Sequence, residues 1–434
     1  MEFHDILHGE IIFPDGNSLT ELLRDLINSP EVNRLRNMRQ MNFDVPLIQE
    51  LGRSRRLPHS IGVAHIAMVL GRRAGLSEAD QKVFLAAAIL HDAAIPPYGH
   101  LVESELKNVN PEFKHEQRVK DLIKGKAALE NSFQEIVPGR SLQLQEIFSR
   151  HGVSDDRVIE LICPPSGRQS PISAEIDIDN IDNVHRMAAM LGWDDAKSNL
   201  NNIIDGLSLN GLGAMSFSEA SIPSLEKWHS FRERIYTLII ANRECIPYNA
   251  LQADLVRLAV KDQLIGPNDW YQIEPLFEDL LRKHPSTSKL ATQLISGTDY
   301  QLIDYVWIKG FTSIRKTSNA EIERFLIEQL TPSSGYGYFV WNEKGLVSRR
   351  VNVDIKEQGQ VSLGKDSTSC MIALVKHTHG KPKRSKQIEL QHRAAVISAF
   401  SDFFGTHKFW IDYPETYTGE FWQSKNGNLE IGYY

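Results

Sequence analysis

Cysteine is scarce in this chain. Its 434 residues hold three, Cys163, Cys245 and Cys370, far apart and odd in number. That excludes a disulfide framework or a cysteine-built zinc ribbon and points to reduced thiols. Basic charge is also short, with 48 Lys and Arg against 55 Asp and Glu and a net charge of −7. The surface as a whole is therefore not a nucleic-acid footprint, and a nucleic-acid partner, while open, is not indicated by net charge. Long hydrophobic runs are missing: no segment is apolar for long enough to span a membrane, and the opening residues, "MEFHDILHGE", carry no apolar signal core. The expectation is a soluble cytoplasmic protein with no membrane partner. Internal repeats and long low-complexity tracts are lacking too, and "HGKPKRSK" reads as a short basic loop.

What is present is ample material for a core, at 41% hydrophobic residues. The length suits one large domain plus a smaller one, or two to three ordinary domains. From about Leu19 to Leu330 the apolar spacing is mostly helical. "LTELLRDLINSPEVNRLRNMRQM" reads as two helices broken at Ser29-Pro30, and "SAEIDIDNIDNVHRMAAMLG" as a helix ending at Gly192. "DQKVFLAAAILHD" is apolar nearly all round, the mark of a central helix. After "TPSSGYGYF" the pattern changes to short strands, "GYFVWNEKG", "SRRVNVDI", "GQVSLG" and "SCMIALVKH", before "ELQHRAAVISAFSDFF" returns to helix. The expected architecture is mainly α: a helical bundle over residues 1–330 and a small C-terminal α+β subdomain over residues 331–434.

The stretch "LAAAILHDAAIPPYGH" poses the functional question. A buried helix ends at His91-Asp92, prolines follow, and another histidine, His100, comes next. Taken alone, such a pair is a cap or a satisfied core polar group. Ligand-type residues elsewhere change the weighing. His59 opens the helix "HSIGVAHIAMVLG", and Asp179 and Asp182 lie three apart on one helix face. Two histidines with two carboxylates, His59, His91, Asp92 and Asp179, form a mixed nitrogen and oxygen set. It suits iron, manganese, zinc or magnesium without choosing among them. A metal held this way can polarise a phosphoryl oxygen.

These residues resemble the motifs of the HD-domain phosphohydrolases, and more narrowly those of the deoxynucleoside triphosphate triphosphohydrolases. "HDILHGEI" is similar to that family's opening Asp-Pro-Val/Ile-His-Gly stretch. "INSPEVNRLRNMRQM" is similar to its arginine-rich helix, "RRLPHSIGVAHIA" to its Arg-Phe-x-His-Ser-Leu-Gly-Val motif, and "LHDAAIPPYGH" to its His-Asp motif. "FKHEQR" resembles its later His-Glu pair, and "IDIDNIDNVHR" the helix that supplies the last ligand. The match runs from residue 5 to about residue 190 and weakens toward 330. The resemblance implies a helical HD-type bundle and a divalent metal bound by His59, His91, Asp92 and Asp179. It implies catalytic or proton-handling roles for His100, Glu103, His115 and Glu116. Arg56 would contact a substrate phosphate, Gln40 would lie close to a sugar, and Tyr248 would line the pocket. It also implies a homo-oligomer.

The chain departs from the pattern where the family grips a triphosphate. Ile95 stands in place of a pocket histidine, Asn180 of a lysine, Asn183 of a tyrosine and Met187 of an acidic residue. A triphosphate needs several cations to clamp it. Three readings therefore stay open: a metal-dependent phosphohydrolase of a nucleotide, with a deoxynucleoside triphosphate among the candidates; an HD phosphohydrolase of another phosphoester, such as a nucleoside monophosphate, a modified nucleotide or a nucleic-acid end; and a weakly catalytic module that binds nucleotide or single-stranded nucleic acid.

Overall fold

The Glu78–Leu90 helix is the axis on which the protein is built, and its composition explains why. Every residue from Val83 to Leu90 is buried, so no face is left for solvent. The helices Ser18–Asn28, Arg56–Arg73 and Asp155–Ile162 pack around it. Ser77 caps its start, accepting from the Asp80 N–H, and Glu78 and Asp80 place negative charge on the positive end of the helix. The computed structural model describes residues 1–43, 45–127, 143–311, 317–332, 334–342, 350–364, 368–377, 386–412, 421–423 and 429–431. The basic stretch expected as a loop falls at residues 379–386, and residues 379–385 lie outside the described residues.

The fold is mainly α, with small sheets. Two of the expected helices differ in extent. The second half of "LTELLRDLINSPEVNRLRNMRQM" is a short helix, Pro30–Asn33, continued by a 3-10 turn, Arg34–Asn37. The helix bearing His59 begins at Arg56, so His59 sits in its first turn rather than at its start. Pro58 is tolerated there because first-turn N–H groups have no partner within the helix. The Asp179 helix runs Ile178–Met190, capped by the Asp177 carboxylate on the Asn180 N–H.

Strand structure enters earlier than the sequence pattern suggests. Gln301–Phe311 is a strand, and it pairs antiparallel with Thr368–Lys376 in a four-stranded sheet that also holds Tyr336–Asn342 and Trp410–Asp412. Its apolar run reads like a helix because both faces are buried. Tyr305 and Trp307 belong to the main core, while Val306 and Ile308 belong to a second core beneath the Asn319–Leu330 and Lys386–Phe404 helices. The same alternation holds along Cys370–Val375, as period-two geometry requires. A second four-stranded sheet joins Leu207–Asn210 and Ala214–Phe217 to the hairpin Val351–Ile355 and Gly359–Leu363. Among the described residues, no helix is long and apolar enough to cross a membrane.

Candidate active site

His91 follows directly on the buried Glu78–Leu90 helix, so the core itself fixes where its ring stands. Its Nδ1–H donates to the Ala88 carbonyl at 2.8 Å, which leaves Nε2 as the free nitrogen. That nitrogen is buried and has no hydrogen-bond partner among the described residues. It lies 3.6 Å from Asp92 Oδ2 and 3.6 Å from Asp179 Oδ1, too far for a hydrogen bond but converging on a common point. His59 brings its Nε2 to 2.9 Å from Asp179 Oδ1. His59, His91 and Asp179 each offer a ligand atom, all within 4.8 Å of one another, so the three could hold a metal ion. Asp179 keeps about 31% of its side chain exposed, whereas His59 is sealed.

Asp92 is turned differently. Its Oδ2 accepts from Arg56 Nη1 at 2.5 Å, with both side chains buried. Arg56 also donates Nε to the Arg39 carbonyl and Nη2 to the Gln40 carbonyl. Burial opposes the charge on Asp92, but Arg56 and His91 outweigh it and hold the carboxyl well below the usual carboxylate range. Burial likewise opposes protonation of His91, yet Asp92 and Asp179 raise its pKa to about 10. His59 is raised too, burial being overcome by its hydrogen bonds with Asp179 and Asp182. The neighbouring carboxylates pull protons onto the histidines, and a metal would compete for those same nitrogens.

Behind His59 stands a carboxylate with every acceptor position filled. Asp182 Oδ1 accepts from His59 Nδ1 at 2.7 Å and Arg186 Nε at 2.8 Å. Its Oδ2 accepts from His8 Nε2 at 2.6 Å and Arg186 Nη2 at 3.2 Å. Asp182 is fully buried, and a carboxylate so placed survives only because each lone pair is used. Asp5 holds Arg186 Nη1 at 2.6 Å through Oδ2 while its Oδ1 caps the Leu7 and His8 N–H groups. Gly62 makes room for this network: a Cβ there would stand 2.3 Å from Asp182 Oδ2 and 2.5 Å from Arg186 Nη2. Asp5, His8, Gly62 and Arg186 all lie inside the motif stretches, but periodicity assigns them no role. The clue available was the pairing of two short polar motifs far apart in the chain.

A second histidine group is carried by the helices His100–Val109 and His115–Ile123. Glu103 Oε2 accepts from His100 Nδ1 at 2.8 Å and His115 Nδ1 at 3.2 Å, and Lys107 meets Oε1 at 2.8 Å. Glu103 and His115 are buried, whereas His100 is 57% exposed. Burial works against the Glu103 charge, but the bonds from both histidines keep its carboxyl well below the ordinary range. His115 is raised, since Glu103 and Glu116 together overcome its burial. These three residues could also hold a metal ion. Glu103 already carries the Lys107 cation. Glu116 is looser, 45% exposed with Oε2 3.5 Å from His115 Nδ1.

The remaining expected residues are placed as follows. Gln40 is buried and its Nε2 donates to Asn183 Oδ1 at 3.1 Å. Tyr248 sits half-buried in the first turn of the Ile246–Lys261 helix, against the main core, and makes no hydrogen bond to either histidine group among the described residues. The departures are built in: Ile95 is fully buried and Met187 nearly so, while the Asn180 side chain bonds Asp177 at 2.8 Å.

Residues 56–187 match the family model described as HD domain. A Bacillus subtilis (strain 168) protein named "Uncharacterized protein YwfO" is 26% identical over 195 residues, covering 44% of this chain and 40% of that protein. A Dictyostelium discoideum protein, "Deoxynucleoside triphosphate triphosphohydrolase SAMHD1 homolog", is 28% identical over 108 residues, covering 23% of this chain and 20% of its own length. The chain thus spans less than half the length of either relative.

Proposed function

Starting from the HD domain at residues 56–187, we propose that this chain is a metal-dependent phosphohydrolase acting on a nucleotide. The observation that carries the reading is His91 Nε2, a buried nitrogen with no hydrogen-bond partner among the described residues, 3.6 Å from both Asp92 and Asp179 and beside His59. An orphaned buried polar atom is costly, and a cation at the meeting point relieves that cost. His59, His91 and Asp179 would hold it, with Asp92 as the fourth ligand, and the mixed donor set suits Mn, Fe, Mg or Zn. Bound there, the metal supplies Lewis-acid polarisation of a phosphoryl oxygen.

The chain's own residues do the rest. Asp182 and the Ala88 carbonyl fix both ligand imidazoles in orientation, so that their Nε2 atoms face inward. Arg56 anchors Asp92, and its Nη2 approaches Gly99, the residue before His100; a phosphate oxygen would meet the guanidinium there. Glu103 takes the Nδ1–H of His100, and the other nitrogen of this exposed ring would give a proton to a leaving oxygen. Glu116 would assist through His115.

The substrate reading follows from how the departing residues are packed. Gln40 would approach a sugar, but it is bonded to Asn183, while Ile95 and Met187 are packed into the core. That favours a nucleotide other than a standard deoxynucleoside triphosphate, or a related phosphoester, over the full triphosphate clamp. Tyr248 would border the entrance. A screen of nucleoside mono-, di- and triphosphates and simple phosphodiesters with Mn²⁺, Fe²⁺, Mg²⁺ and Zn²⁺ tests this, reading triphosphate or orthophosphate release. No release from any combination defeats the proposal. A homo-oligomer is the expected assembly, and a monomeric mass by light scattering at micromolar concentration counts against it.

A further inference from the structure

Between His91-Asp92 and His100 the chain passes through residues 93–99, and distant residues hold this run from behind. Arg34, fully buried, donates Nη1 to the carbonyls of Ala93 at 3.1 Å and Ile95 at 2.8 Å. Its Nε and Nη2 reach the carbonyls of Tyr271 and Gln272. Just beyond, Glu274 opens the Glu274–Lys283 helix. Its Oε1 accepts from the Tyr98 N–H at 3.1 Å and its Oε2 from Arg39 Nε at 2.7 Å. Arg39 also pairs with Glu278, whose Oε1 accepts from the Tyr98 hydroxyl at 3.3 Å, and its guanidinium lies 4.7 Å from the Tyr98 ring centre.

The turn so gripped is unusual. Tyr98 has φ +57° and Gly99 φ +54°. A bulky L residue rarely adopts that region, and it persists only where the surroundings over-determine it. A side chain at Gly99 would be strained at that φ, and its Cβ would lie 2.3 Å from Asn42 Oδ1 and 3.0 Å from Arg56 Nη2. The next residue is His100, whose N–H meets that same Asn42 oxygen at 3.1 Å. The turn therefore decides where His100 stands relative to Glu103 and Arg56.

We propose that Glu274, together with Arg39, is a positioning residue for turnover: it locks the Tyr98–Gly99 turn and thereby sets His100. This rests on His100 being the proton-handling group of the proposed phosphohydrolase. Glu274 makes none of its contacts with His59, His91 or Asp179, so loss of the lock separates metal binding from catalysis.

The test uses the full chain with Glu274→Gln. An amide has one acceptor oxygen, so it serves Tyr98 or Arg39 but not both. Three measurements are compared with wild type: hydrogen exchange in peptides spanning Pro96–Glu103, Mn²⁺ affinity of the metal-free protein, and turnover of bis(p-nitrophenyl) phosphate with Mn²⁺. Expected are amide exchange in that segment faster by about tenfold or more and Mn²⁺ affinity within about twofold, because the ligands are untouched. A kcat lower by roughly 10- to 100-fold with KM nearly constant should accompany them, the order of loss a displaced catalytic group brings. Arg39→Lys, which keeps the charge but cannot span both carboxylates, should give the same pattern in milder form. Unchanged exchange, faster exchange with wild-type kcat, or Mn²⁺ affinity falling in step with kcat would each overturn the lock. A wild type that cleaves no phosphoester defeats the phosphohydrolase reading instead, and the exchange comparison still decides whether Glu274 holds the turn.

Discussion

Arg56 and Asp92 form a buried ion pair, Nη1 to Oδ2 at 2.5 Å, between the first turn of one helix and the residue after His91. The pair joins the residue expected to bind phosphate to a residue expected to bind metal. Removing one partner of such a pair strands the other charge away from water, at a cost of about 3–5 kcal/mol. Arg56→Ala should therefore lower the stability of the metal-free protein by about that amount, and Mn²⁺ should restore part of it by giving Asp92 a new counter-charge. Urea unfolding with and without metal checks both halves. An unchanged midpoint in the metal-free protein would mean the pair contributes nothing.

His91→Ala and Asp179→Asn each remove a donor from the converging group. Both should abolish tight divalent-metal binding and all hydrolysis. Both should also remove the rise in melting temperature that metal gives wild type, since a ligand at 100 times its Kd contributes about 2.7 kcal/mol. Asp92→Ala should do the same if Asp92 leaves Arg56 for the metal. Full hydrolysis by Asp92→Ala would show that it never does.

Asp182 touches no metal position, yet it orients His59 through Nδ1. Asp182→Asn should weaken metal affinity by about 10- to 100-fold, the usual worth of such a partner. Isothermal titration of the metal-free protein measures it. Affinity equal to wild type would mean that the helix alone orients His59.

His100→Ala should retain the metal and lose roughly 10²- to 10⁴-fold in turnover, as for a positioned general acid or base. Metal content by elemental analysis and kcat on the same preparation are the two readings. Loss of metal would make His100 a ligand.

In the metal-free protein His59 and His91 are raised above the ordinary histidine value, His91 to about 10. The folded state then binds more protons than the unfolded chain between about pH 6.5 and that value. Its stability is fullest below pH 6.5 and is lost as pH climbs toward 10. Metal binding must expel these protons, so apparent metal affinity rises with pH across the same window. Titrations in buffers of different ionisation enthalpy count the protons released. A pH-independent affinity would contradict the assignment.

Much of this site was legible in the chain. His59, His91 and Asp179 stood out because ligand-type residues interrupted apolar helices, and the structure brings the three together. The Asp92–Arg56 pairing was not legible: a spacing rule says which residues share a face, not which of two cations or carboxylates a side chain will choose. The Asp5–His8–Asp182–Arg186 network was hidden for a related reason. Its members are separated by up to 181 positions, and local pattern carries no information across such gaps. Strand Gln301–Phe311 was missed because burial on both faces erases the alternation that marks a half-exposed strand.

That strand lies between Thr368–Lys376 and Trp410–Asp412, and both neighbours come later in the chain. As the polypeptide emerges from the ribosome, Tyr305 and Trp307 on one side and Val306 and Ile308 on the other are ready before either partner has been made. The helices that carry His59, His91 and Asp179 can be synthesised and begin to pack while this apolar strand still has two open edges. Open edges of that kind are where nascent chains stick to one another. A nascent chain stalled before Thr368 should therefore depend on a chaperone, although every residue of its candidate metal centre is already present.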